Sequence, residues 1–200
     1  MKYFIFSVLV MSILGNLQAQ NDWALERDKN GIKVWTKKRP NSSLKEYKGV
    51  TVINATVDEL VSIFKNTKLH DQFLYKAQAG SVKVVKKISD NDFYTYMVVN
   101  APIVKDRDVV THYKLIKDNN TGTVTVELEA APNLVPINDN YVRVPEMKGY
   151  WKFIPKGNST EVIHQAYSLT GGNIPSGLAN SAAVDTPFSM LSELKNLAEK

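Results

Sequence analysis

Gly171-Gly172-Asn173-Ile174-Pro175 is the stretch on which the fold turns. Segment after segment before it reads as strand. After it, residues 175–198 read as one long amphipathic helix, with an apolar stripe of Leu178, Ala182, Met190, Leu191, Leu194 and Leu197. Proline suits a first helical turn, where its missing amide has no partner to lose. Pro187 falls inside the segment and removes an internal hydrogen bond, so two outcomes stay open, a kinked helix or two helices meeting there. A sheet that ends by laying a helix across itself encloses a space. If the sheet curves, that space can take an apolar molecule.

Working back from this point, residues 160–169, 149–154 and 141–144 are strand-like, and 132–140 form a loop. The pattern is cleanest at 123–130. Val124, Val126, Leu128 and Ala130 face one way, and Thr123, Thr125, Glu127 and Glu129 the other, as in an antiparallel sheet with one wet side. Asn119-Asn120-Thr121-Gly122 turns into it from a strand at 109–116. Residues 93–99 are rich in aromatic and β-branched side chains, and Val82, Val84 and Ile88 alternate with lysines. Earlier the period changes. Val57, Leu60, Val61 and Phe64 mark one helical face, and Thr56 with Glu59 has the spacing of a capping box. A second short helix is expected at 68–75. Residues 44–54 and 31–36 read as strands joined through the turn at 40–43, and 21–27 as a helical turn carrying Trp23 and Leu25.

Composition limits the function. The chain has 200 residues, 44% of them hydrophobic, no cysteine and a net charge of +5. That length suits one domain. Without cysteine there are no disulfides and no thiolate metal sites. Met1-Lys2, the apolar run from Tyr3 to Leu14 and Leu17-Gln18-Ala19 read as a secretory leader over 1–19. The run is too short to span a bilayer. The expectation is a domain at 20–200, periplasmic or secreted and monomeric.

The order of elements resembles the START domain, a lipid-transfer module with a helix-grip fold. Particular residues add to the likeness. Gly31-Ile32-Lys33-Val34-Trp35 is similar to the family's opening strand, and Pro102 with Asp106-Arg107-Asp108 to its Pro…Arg-Asp segment. Tyr141-Val142-Arg143 and Gly149-Tyr150-Trp151 resemble the penultimate strands, and 171–175 and 180–187 the last helix and its approach. The resemblance implies an α+β fold: a curved antiparallel sheet wrapped around a long C-terminal helix, with two short helices inserted after the early strands. It also implies an apolar cavity between sheet and helix for one lipid or other hydrophobic molecule, with no cofactor. The wider superfamily includes cyclases and hydrolases, which make an enzyme using Arg107, Tyr113 and His164 the alternative.

Arg107 shares a strand face with Val109, Thr111, Tyr113 and Leu115. A buried guanidinium there must be paired or hydrogen-bonded. Two roles fit it: meeting the polar head of a ligand, or tying a loop to the sheet through a carboxylate. His164 is either a polar contact in the cavity or a satisfied structural histidine. Tyr96 and Tyr113 offer hydroxyls to the pocket or are core aromatics. With Thr111, Val126, Leu178 and Ala182 they complete the candidate lining. Three scattered histidines have no metal-ligand spacing. No nucleophile motif or phosphate loop appears, and nothing resembles a nucleic-acid reader. Lys37-Lys38-Arg39, Lys83, Lys86 and Lys87, with the apolar loop Leu134-Val135-Pro136-Ile137, suit transient contact with a membrane surface.

Overall fold

In the computed structural model, which describes residues 22–40, 42–101 and 103–200, ten strands make one sheet and three helices pack on it. The strands are β1 (Ala24–Lys29), β2 (Ile32–Lys38), β3 (Lys45–Ile53), β4 (Lys83–Ser89), β5 (Asp92–Val99), β6 (Arg107–Lys117), β7 (Val124–Ala130), β8 (Val142–Arg143), β9 (Glu146–Lys156) and β10 (Ser159–Leu169). The helices are α1 (Val57–Lys65), α2 (His70–Phe73) and α3 (Ser176–Ala198). The order across the sheet is β1-β2-β3-β10-β9-β7-β6-β5-β4, antiparallel throughout, and short β8 pairs parallel with β6. This is the expected α+β helix-grip. The leader at 1–19, Asn41 of the 40–43 turn and Pro102 lie outside the described residues.

Local chemistry explains most boundaries. Thr56 and Glu59 form the capping box at the start of α1: the Glu59 amide donates to the Thr56 hydroxyl, and the Thr56 amide to the Glu59 carboxylate. Residues 22–27, the described part of the expected helical turn at 21–27, do not form one. Asn30 and Gly31 both have positive φ, 54° and 73°, and make a two-residue turn that folds Ala24–Lys29 back as strand β1 against β2. α3 runs unbroken through Pro187, so of the two outcomes the single helix holds. Its buried stripe is Ala183, Pro187, Met190, Leu191 and Leu194.

Register sorts the side chains into two faces. The inner face carries Val34 and Thr36, then Tyr47, Gly49, Thr51 and Ile53 of β3, Val162, His164 and Ala166 of β10, Trp151 and Phe153 of β9, Val126 and Leu128 of β7, and Arg107, Val109, Thr111 and Tyr113 of β6. α3 lies over β2, β3 and β10 and against α1 and α2. Gly49 sets how closely it approaches. A Cβ there would meet Leu191 Cδ1 at 2.7 Å and Pro187 Cβ at 2.9 Å, so only a bare backbone lets the helix seat. The outer face bears alternating charge, with Glu127, Glu129, Lys114 and Lys148 around an open groove of about 550 Å³. The two outermost strands differ from the centre: β4 is exposed at every residue and bears Lys83, Lys86 and Lys87.

Candidate functional site

The interface between α3 and the sheet has two ends. At the end covered by α1, α2 and the second half of α3, aromatic side chains fill the interior. Phe64 stands edge-on or tilted to Phe73, Tyr113, Trp151 and Phe153, with ring centroids 5.5 to 6.3 Å apart. Four expected lining residues point inward here, and protein covers all of them: Thr111 is 1% exposed, Tyr113 3%, Val126 0% and His164 2%. The expected open cavity is therefore not located against these four. Phe64 and Phe73, carried in by the short helices, occupy that room.

His164 is satisfied. Its ring stacks on Trp151, centroids 3.9 Å apart and 8° from parallel. Nδ1 sits 3.2 Å from the Tyr150 carbonyl and Nε2 2.9 Å from the Tyr47 hydroxyl. A carbonyl only accepts, so Nδ1 carries the proton and Nε2 accepts from Tyr47. Burial drives the histidine pKa down to about 3, leaving a neutral ring at physiological pH. Burial also raises the pKa of Tyr47. That of Tyr113 is pushed up to about 12, against a smaller pull from the nearby hydroxyls of Thr111 and Thr95. The Thr111 hydroxyl is buried with no partner among the described residues.

At the other end, against residues 170–172 that lead into α3, Arg107 is 6% exposed. It donates to three backbone carbonyls: Nε to Thr170 and Nη2 to Gly171, each at 3.4 Å, and Nη1 to Lys105. No carboxylate lies within ion-pair distance of it among the described residues. The expected loop tie exists, but through carbonyl dipoles in place of a carboxylate. Loss of water lowers the Arg107 pKa, and Asp106 opposes that shift. The neighbouring carboxylate, Asp108, is taken by Arg143. That pair is bidentate at 2.9 and 2.8 Å and nearly fully buried, and Arg143 also donates to the carbonyls of Pro132, Val135 and Pro136. Arg143 thus pins the 132–140 loop.

Tyr96 does not join the site. In register it pairs with Val110 on the outer face, where Asp108, Tyr141 and Arg143 influence its hydroxyl. The inward residues of β5 are Phe93, Thr95 and Met97. Leu178 is 42% exposed and Ala182 half-buried, because the buried stripe of α3 passes through Ala183. Nor do Arg107, Tyr113 and His164 converge. Arg107 and Tyr113 are six residues apart on one strand, about 20 Å. Sequence reading missed Tyr47, the inward tyrosine that orients His164. Its strand neighbours on that face are Gly49 and Thr51, small or polar, so alternation gives little signal. His70 is buried and donates through Nε2 to the Phe64 carbonyl, while His112 lies on the outer face against Asp92.

No family model matches the chain. Over its whole length it is 35% identical to an uncharacterised protein of Pseudomonas aeruginosa, 98% of which it covers. The crystal structure of a STAR-related lipid transfer protein from Xanthomonas axonopodis is similar at a TM-score of 0.83 and 31% identity, over 90% of this chain and 100% of that one. Human StAR-related lipid transfer protein 5 has the same fold at a TM-score of 0.79 and 15% identity, over 91% and 88% of the two chains. Nearly a third of the residues shared along the whole crystallised Xanthomonas fragment, on the same grip of sheet and helix, places this chain in the StAR-related lipid-transfer family.

Proposed function

We propose that this protein binds one lipid or similar hydrophobic molecule beneath the first half of α3 and carries it between surfaces. The observation that carries the reading is Arg107, a buried cation facing inward with only carbonyls for company. Carbonyl dipoles satisfy its N–H groups without cancelling its charge, so an anionic head would complete the site. Inward-facing Val99, Ala130 and Met147 keep part of their surface uncovered, which supports room for a guest at this end. Each methylene moved out of water contributes about 0.8 kcal/mol, so even a short acyl chain is held firmly.

Release calls for a meeting with a membrane. Ile103 is 95% exposed, Ile137 71% and Leu134 38%, on the two loops nearest Arg107, and the ammonium of Lys105 bonds to the Asp139 carbonyl between those loops. Apolar tips with an adjoining lysine suit a lipid surface. The sequence of residues 1–19 supports export as the setting.

Native mass spectrometry of gently purified protein, followed by titration with a fluorescent anionic lipid, tests the reading. We expect co-purified lipid and an affinity at least about tenfold weaker in Arg107→Leu, the loss of one charge-assisted hydrogen bond. Protein that purifies empty and takes up no lipid would overturn it.

A further inference from the structure

We propose that Arg107 reads the charge of the cargo's head and relays it to the hinge of α3, so that an anionic head loosens the first half of that helix from the sheet. The inference rests on the carrier reading above and adds a regulation to it. The hinge is the pair Gly171 and Gly172, both left-handed, at φ 65° and 62°. Such consecutive values are open to glycine and costly for other residues. The guanidinium holds this hinge from inside through the Thr170 and Gly171 carbonyls, and both bonds are 3.4 Å, near the limit at which such a bond still counts.

Beyond the hinge, little else anchors the helix. Ser176-Gly177-Leu178-Ala179-Asn180-Ser181-Ala182-Ala183 has one large apolar side chain, Leu178, and it points to solvent. What holds this half is polar. Asn180 clasps the backbone of the 43–45 segment, accepting from the Lys45 amide and donating to the Ser43 carbonyl, both at 3.0 Å. Arg27 pairs with Asp185 at 2.9 Å, with both side chains a third or more exposed. Such contacts are individually weak.

An anion reaching Arg107 competes with the two hinge carbonyls. Hydrogen bonds to a charged acceptor are about twice as strong as those to a neutral one. The guanidinium therefore turns to the anion, the hinge carbonyls lose it, and only the Asn180 clasp and the Arg27–Asp185 pair restrain the strap. Asp106, the one other charged group influencing Arg107, is engaged by the Ala101 amide at 2.8 Å. A neutral amphiphile of equal length fills the same space and leaves the hinge held.

Hydrogen-exchange mass spectrometry of the full chain with saturating oleate or oleyl alcohol, loading verified by native mass spectrometry, separates these cases. We expect amides 172–183 to exchange about fivefold faster with oleate than with the alcohol, the weight of one ordinary hydrogen bond. Arg107→Met should abolish the difference, and Asn180→Ala should speed exchange with either compound. If both compounds bind and exchange is equal, or slower with oleate, the relay is wrong and the carrier reading stands. Failure of oleate to bind at all would overturn both; if oleate alone binds, the empty protein is the comparison for exchange.

Discussion

The two halves of the interface beneath α3 are built by opposite means. Beneath the end of the helix, Phe64, Phe73, Trp151, Phe153, Leu191 and Leu194 close against one another, and each is at most 1% exposed. The start of the helix is built of small residues, and two polar clasps substitute for packing. Dispersion and hydrophobic burial act over many atoms at once and resist gradual opening. A few exposed hydrogen bonds and an ion pair can be given up singly. One half is therefore a foundation, and the other is a lightly held strap.

Deleting the keystone of the packed half should have the largest effect. Phe64→Ala removes a ring that touches five other aromatic rings, His70 among them, and we expect a loss of about 3–5 kcal/mol in urea denaturation. A loss below about 1 kcal/mol would mean this half is not close-packed, and the contrast would collapse. Acid should come next. The folded pKa of His164, about 3, lies below its ordinary value of 6.5, so the unfolded chain binds the proton first. Its contribution is complete above about pH 6.5 and is lost as pH falls toward 3, at up to about 1.4 kcal/mol per pH unit. His70, whose pKa is lowered chiefly by burial, adds in the same direction. We expect the urea midpoint to fall steadily below pH 6.5 and the slope to flatten in His164→Asn. A midpoint that is level down to pH 4 in the parent protein would contradict the buried neutral ring. The smallest effect belongs to the lightly held half. Asn180→Ala should cost about 1 kcal/mol or less globally while raising local exchange at 174–183. A large global loss would show the strap to be part of the foundation.

Much of this architecture was readable in the residues. The capping box at Thr56 and the alternation at 124–130 state their structures outright, since each is a local pattern with one physical solution. The strand at 24–29 is hidden because Trp23 and Leu25 give little period of their own, and the turn signal that decides it, Asn30-Gly31, lies beyond the segment. The outward position of Tyr96 is not legible, because β5 has aromatic residues on both faces, Phe93 inside and Tyr94 outside, so composition does not reveal phase. Arg107 stood out as a buried charge, but its partners did not. Backbone carbonyls have no sequence signature, and Thr170 and Gly171 lie more than sixty residues away. The filling of the interior was equally hidden, because it depends on where two short helices deliver Phe64 and Phe73.

The outermost strand β4 has a consequence for life in a crowded compartment. An open sheet ends in unpaired backbone, and unpaired backbone invites a neighbouring molecule to continue the ladder. Here the rim is studded with Lys83, Lys86 and Lys87, and its register against β5 slips twice, between Val84 and Lys86 and again between Lys87 and Ser89. Repulsion and irregular spacing together deny an approaching copy a straight template, which guards this open edge against sheet-to-sheet pairing.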